Sequence, residues 1–247
     1  MNSGEKRPKT ALFGRFGSGS NRFFAEFVTI VAGVLIALAI DEWRGEIKDA
    51  NLELQYLGQI IVDLQATEKE IAEAADRDTA PEYAAQRLLA AFEDAKLVSR
   101  QEARQWLSEM RLFNTPIPVL GTVEALIFTG DLRLVRNASV RSDITQYLSS
   151  SQNRIGRFFQ YEELSRNLYT QILILAQTHG ITPAHRSGLS HEVSGTEAEV
   201  EFAVFFANPE AYALVERFVA NKSRMASHRD SMATEAAKLR ESLAAQL

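Results

Sequence analysis

The stretch Phe23–Ile40, FFAEFVTIVAGVLIALAI, decides how the rest of the chain is read. It is apolar over about 18 residues, and at about 1.5 Å rise per residue a helix of that length covers about 27 Å, close to the hydrocarbon thickness of a bilayer. Its single charge, Glu26, falls in the first turn, where a carboxylate can reach the headgroup layer; at the midplane it would cost far more. A transmembrane helix over 22–43 is the expectation. Arg22 and Glu26 would lie at one interface, with Asp41 and the interfacial anchor Trp43 at the other.

Upstream lie Lys6, Arg7, Lys9, Arg15 and Arg22 against Glu5 alone, whereas Asp41, Glu42, Glu46 and Asp49 outnumber Arg44 and Lys48 just downstream. The excess of basic residues places the N-terminus in the cytoplasm and the rest of the chain outside the inner membrane, in the periplasm. The first segment carries +4, so a net charge of −5 leaves −9 (−5 − 4) for the remainder, which argues against a nucleic-acid partner. Gly14, Gly17, Ser18, Gly19 and Ser20 make 1–21 a flexible basic tail. A competing reading is a cleaved secretory signal with Ala37-Leu38-Ala39 at the cleavage site, but helical patterning crosses that point without a breaker.

Ala25, Thr29, Gly33 and Ala37 fall four apart, so small side chains line one stripe of the expected transmembrane helix and permit a second helix to approach. The partners implied are the bilayer and either a second copy or another membrane protein.

Beyond the span, 44–247 is long enough for one domain with a sizeable core. The chain has no Cys, 13 Gly and 6 Pro, and little strand-like alternation, which predicts an all-α domain without disulfides or thiolate chemistry. Ile47, Ala50, Leu54, Leu57, Ile61, Leu64 and Ile71, with Glu68 in the slot between the last two, follow alternating steps of three and four, a heptad seam that extends the first helix to about Ala75. Asp78-Thr79-Ala80-Pro81 reads as a turn opening a second helix over 82–93. Ser99 and Glu102 have capping-box spacing before Ala103, Trp106, Leu107 and Met110. The prolines of Asn114-Thr115-Pro116-Ile117-Pro118 end that helix. A short helix over 122–128 closes at Gly130; a long one runs from an Asn137 cap to Gly180. A further short helix over 198–206 precedes Asn208-Pro209, the N-cap and N1 of the last helix. The fold expected is an elongated antiparallel helical bundle.

Chemistry is hard to find in this pattern. His179, His185 and His191 with Glu192 could in principle bind zinc or copper, but the spacing is neither paired nor H-E-x-x-H, and solvated loop residues are the simpler account; no metal or cofactor is assigned. Ser149-Ser150-Ser151 lacks the glycine elbow of a nucleophilic serine. Gly14-Arg15-Phe16-Gly17-Ser18-Gly19 has neither the strand nor the Lys-Ser/Thr ending of a phosphate loop. Trp106, Phe128 and Tyr161, with Phe113, could line a ligand groove, although large aromatics also fill any helical core.

The segment Phe23–Trp43, with its Phe-Glu entry, Gly33-Val34-Leu35-Ile36-Ala37-Leu38 centre and Asp41…Trp43 exit, resembles an uncharacterised family of bacterial single-pass membrane proteins. Leu54-Gln55-Tyr56-Leu57, Thr129-Gly130-Asp131-Leu132, Arg141 and Tyr147 are similar to that family's later landmarks. The resemblance implies an anchor and a helical extracytoplasmic domain, and carries over no functional residue. The leading expectation is a membrane-anchored interaction or scaffold protein without catalytic activity. The alternatives are a ligand sensor signalling through a membrane partner and a metal-dependent hydrolase at the loop histidines.

Overall fold

The computed structural model describes residues 19–93, 98–184 and 196–247, with side chains described from residue 26 onward except at 196–201. Every regular element among them is helical. Six α-helices follow one another: α1 (Gly19–Ala90), α2 (Arg100–Glu109), α3 (Gly121–Phe128), α4 (Ala138–Thr178), α5 (Thr196–Ala207) and α6 (Pro209–Ala244), with a 3₁₀ turn at Asp131–Leu134 between α3 and α4. The chain divides into two compact units, Met1–Leu52 and Glu53–Leu247.

Several helix ends are set by the short-range chemistry read from the sequence. Ser99 accepts from the Glu102 amide at 3.2 Å while the Glu102 carboxylate accepts from the Ser99 amide at 2.9 Å, a reciprocal capping box opening α2. Asn137 and Asn208 cap α4 and α6 through their side-chain oxygens, and Pro209 stands where its missing N–H costs nothing. Gly130 (φ 80°) and Gly180 (φ 70°) take the left-handed conformation just past α3 and α4. Leu132 and Leu134, whose alternation is too short for a strand, lie within the 3₁₀ turn.

The second unit is an antiparallel bundle whose core falls into three apolar groups. One joins Leu57, Ile60 and Leu64 of α1, Val140, Ile144 and Tyr147 of α4, and Ala236, Leu239 and Leu243 of α6. A small central group holds Ile71, Phe158, Met225 and Met232. The third joins Ala84, Ala85 and Leu88 of α1 with Leu168, Ile172 and Ala176 of α4 and Ala211, Leu214, Val215 and Phe218 of α6. Residue numbers rise through the three groups along α1 and α4 and fall along α6, so α6 runs opposite to the other two. Polar links obey the same order: Arg240 donates to Glu68 at 2.8 Å, and Lys222 pairs with Asp78.

Two expectations about α1 are corrected. Asp78-Thr79-Ala80-Pro81 is not a turn: the helix continues to Ala90 with Pro81 inside it. Proline removes one amide donor from a helix interior and is usually disruptive. Here it is buried, and the positions Leu57, Ile60, Leu64, Thr67, Ile71, Ala74, Asp78, Pro81, Ala85 and Leu88 form one unbroken buried seam in steps of three and four. Tertiary packing along that seam holds the helix where local propensity would end it. The seam's register also differs in part: Ile60 and Thr67 are buried in place of Ile61 and Glu68, while Ile47 (46 % exposed) and Leu54 (47 %) lie outside it.

Candidate functional site

From Glu26 to Asp49 every residue of α1 is exposed. Phe27, Ile30, Leu35, Ile36, Leu38 and Trp43 each expose about 60 % of their surface, and Val28, Val31, Val34 and Ile40 fill the angles between them. The apolar surface therefore surrounds the helix and does not form a stripe facing a core. Thr29, Gly33 and Ala37 lie on this exposed length, and a Cβ added at Gly33 would meet nothing within 4 Å. Asp41 and Trp43 stand at its charged end and Glu26 at the other; Arg22 and Ala25 lie outside the residues whose side chains are described. Among the described residues no helix is long and apolar enough to cross a membrane: bounded by Glu26 and by Asp41 and Glu42, the described apolar run is Phe27–Ile40.

The aromatic residues of the expected groove fall in three different settings. Trp106 is buried in the apolar group shared by α1, α2, α4, α5 and α6, with the Arg87 guanidinium of α1 5.6 Å from its ring centre; Tyr161 packs on the central group beside Ile71 and Phe158, and Phe128 is 79 % exposed. Two clefts open on the bundle surface. One, about 280 Å³, lies between α4 and α6 and is lined by Asp143, Ser150, Glu235, Lys238 and Ser242 among others; the second, about 370 Å³, lies beside Arg111, Tyr169, Leu173 and Pro183. Neither is lined by Trp106, Phe128 or Tyr161.

Sequence reasoning missed a buried ion cluster in the middle of the bundle. The Asp78 carboxylate of α1 accepts from Lys222 Nζ at 3.1 Å, from Asn114 at 3.3 Å and from the Arg229 guanidinium, and all three charged side chains are at most 4 % exposed. The Lys222 ammonium lies 5.3 Å from the centre of the Phe113 ring, a cation–π approach. Alongside it, burial pushes the Glu162 carboxyl up, but donation from Thr115 and Arg166 outweighs this and holds it below the usual carboxylate range. The layer continues through Asn221, which donates to the Tyr161 carbonyl and to Ser165, both at 2.8 Å. With both carboxylate oxygens engaged and its side chain 1 % exposed, Asp78 is arranged as a cross-link between helices. One signal could have found it: Thr67 and Asp78 keep the heptad spacing of the apolar residues around them.

Outside that layer, Arg154 donates to Glu235 at 3.0 Å and, with help from Ser150, holds its carboxyl below the usual range. His228 lies against the Tyr161 ring, centroids 5.2 Å apart; burial first, then the charges of Arg154 and Arg157, push its imidazole below 6.5. His179 caps α4. His185, His191 and Glu192 lie outside the described residues, and among the described residues no three His, Cys, Asp or Glu side chains converge as a metal site.

The chain was compared with family models, curated proteins and solved structures, and none of them matches it. Among the described residues the geometry defines an all-helical protein, with an antiparallel bundle in its second unit and an apolar helical segment in its first.

Proposed function

We propose that this chain is a membrane-anchored interaction protein. The N-terminal part of α1 is its anchor, the basic tail stays in the cytoplasm, and the bundle acts as a non-catalytic scaffold on the periplasmic side. One observation carries the reading: from Phe27 to Ile40 the large apolar side chains are exposed on every side of the helix. Exposed apolar area costs about 25 cal/mol per Å² in water, and a helix apolar on all sides is matched by lipid or by the interior of an assembly. In the sequence Phe23, Phe24 and Ala25 lengthen the run to Phe23–Ile40, enough for a bilayer's hydrocarbon core. The charge asymmetry across the run supports the orientation. The enclosed hydrogen bonding of the central cluster supports a mechanical role for the bundle over a chemical one.

The absence of Cys makes a direct test simple. Single-cysteine variants Ser18→Cys and Thr234→Cys of the full chain are treated with a membrane-impermeant maleimide in cells whose outer membrane has been opened, before and after lysis. The expected result is that Thr234→Cys labels in both conditions and Ser18→Cys only after lysis, with the protein resisting carbonate extraction. Equal labelling of both in unlysed cells, or release by carbonate, would overturn the reading.

A further inference from the structure

The ten residues Asp41–Ala50 do not share the all-round apolarity of the preceding segment. Asp41, Glu42, Arg44, Glu46, Lys48 and Asp49 occupy most of the helix circumference, as suits water. The large apolar side chains that remain are Trp43, 63 % exposed, and Ile47, 46 % exposed, followed by half-buried Ala50. These three continue Gly33, Ile36 and Ile40 upstream in steps of three and four, giving three successive pairs at heptad spacing. Farther along the same helix, seam residues such as Leu57, Ile60 and Leu64 are buried in the chain's own bundle. Spacing in threes and fours is thus buried there, in the shifted register that takes Ile60 in place of Ile61, and exposed here at Trp43 and Ile47.

We propose that a second copy of this chain covers the bare stretch, forming a short parallel coiled coil with Gly33, Ile40 and Ile47 at the a positions and Ile36, Trp43 and Ala50 at the d positions. A repeat of three and four within a charged helix is matched by another helix and not by a flat bilayer, which sees no stripe. The direction rests on the anchored reading, since copies that enter one membrane the same way run parallel. In a parallel pair the flanking Arg44 faces Ala39 of the other copy and Glu46 faces Asn51, so no like charges oppose one another across the seam. This contact differs from one along Ala25, Thr29, Gly33 and Ala37: its layers include Ile36, Ile40, Trp43 and Ile47, and Ala37 lies off it.

The test uses single-cysteine variants of the full chain in native membranes, oxidised and resolved without reductant, with two differently tagged copies co-expressed to identify the product. Ile40→Cys and Ile47→Cys are on the seam. Gly45→Cys and Lys48→Cys are off it, all four sites are exposed, and Ala37→Cys reports the small-residue stripe. Facing seam positions are expected to give several-fold more mixed-tag dimer at 40 and 47 than at 45, 48 or 37. Uniform or absent dimer, dominance of position 37, or a seam-specific adduct with a different chain would each overturn the proposal. Carbonate extraction of the same variants separates the two readings. Membrane-retained protein without the 40/47 pattern removes the coiled coil and leaves the anchor, whereas seam-specific dimer in released protein removes the anchor and leaves the coiled coil.

Discussion

Asp78 holds together the ion cluster at the middle of the bundle. Two buried cations face its carboxylate, and deleting one side of such an arrangement strands charge in a medium that solvates it poorly. Asp78→Ala is expected to destabilise the detergent-solubilised chain by about 3–5 kcal/mol in urea unfolding. Replacing all three, Asp78→Leu with Lys222→Met and Arg229→Met, should recover most of that loss, because no ion is then left unpaired. A loss under about 1 kcal/mol for Asp78→Ala, the size expected of an exposed ion pair, would contradict a cluster closed to water. His228 gives a second prediction, read against pH. Its imidazole is pushed down by burial and by Arg154 and Arg157, so as pH falls the unfolded chain takes up this proton before the folded one. Its contribution to stability is therefore fully present above the unfolded value of 6.5 and is lost as pH falls from there through the lower folded value. His228→Gln should flatten the stability profile between about pH 7 and pH 5.5, a window where the depressed carboxylates Glu162 and Glu235 remain charged in both states.

At the scale of the element, helix ends and helix interiors follow different rules. Asn208 holds two amides at the start of α6, at 2.8 Å from Glu210 and 3.3 Å from Ala211, so Asn208→Ala should cost about 1 kcal/mol, measurable by urea unfolding. Gly130→Ala should cost a similar amount through backbone strain alone. Its φ is 80°, and a Cβ there would meet nothing within 4 Å, so crowding adds nothing. These ends were legible because Ser99, Asn137, Asn208-Pro209, Gly130 and Gly180 act on amides and carbonyls within a few residues. The interior of α1 was less so. Pro81 reads locally as a stop, and Asp78 and Thr67 read as surface; their burial is decided by Lys222 and Arg229, more than 140 residues away, and by the Val119 amide that Thr67 receives at 2.9 Å. The expected groove shows the converse limit: Trp106, Phe128 and Tyr161 share a chemistry but no spacing, and nothing in the sequence alone could bring them together or keep them apart.

For the molecule as a whole, the central question is what environment the segment Phe27–Ile40 occupies, and a single position can separate lipid from a protein groove. Val34 is 55 % exposed and lies off the heptad seam between Gly33 and Ile36. If the apolar need came only from a partner helix along the seam, an arginine at 34 would point away from it and be tolerated. In a bilayer the same arginine sits near the midplane, where insertion scales assign about 2.5–3.5 kcal/mol, or about a hundredfold in the inserted fraction. Val34→Arg is therefore expected to shift the full chain out of the carbonate-resistant fraction while Val34→Leu stays in it. Ile47→Arg, beyond the apolar run and on the seam, should have the opposite profile: membrane retention unchanged and dimer lost. Retention of Val34→Arg at the level of the parent chain would mean that protein and not lipid surrounds the helix. Position 34 would then face water beside a seam partner, since two helices along one seam leave it uncovered.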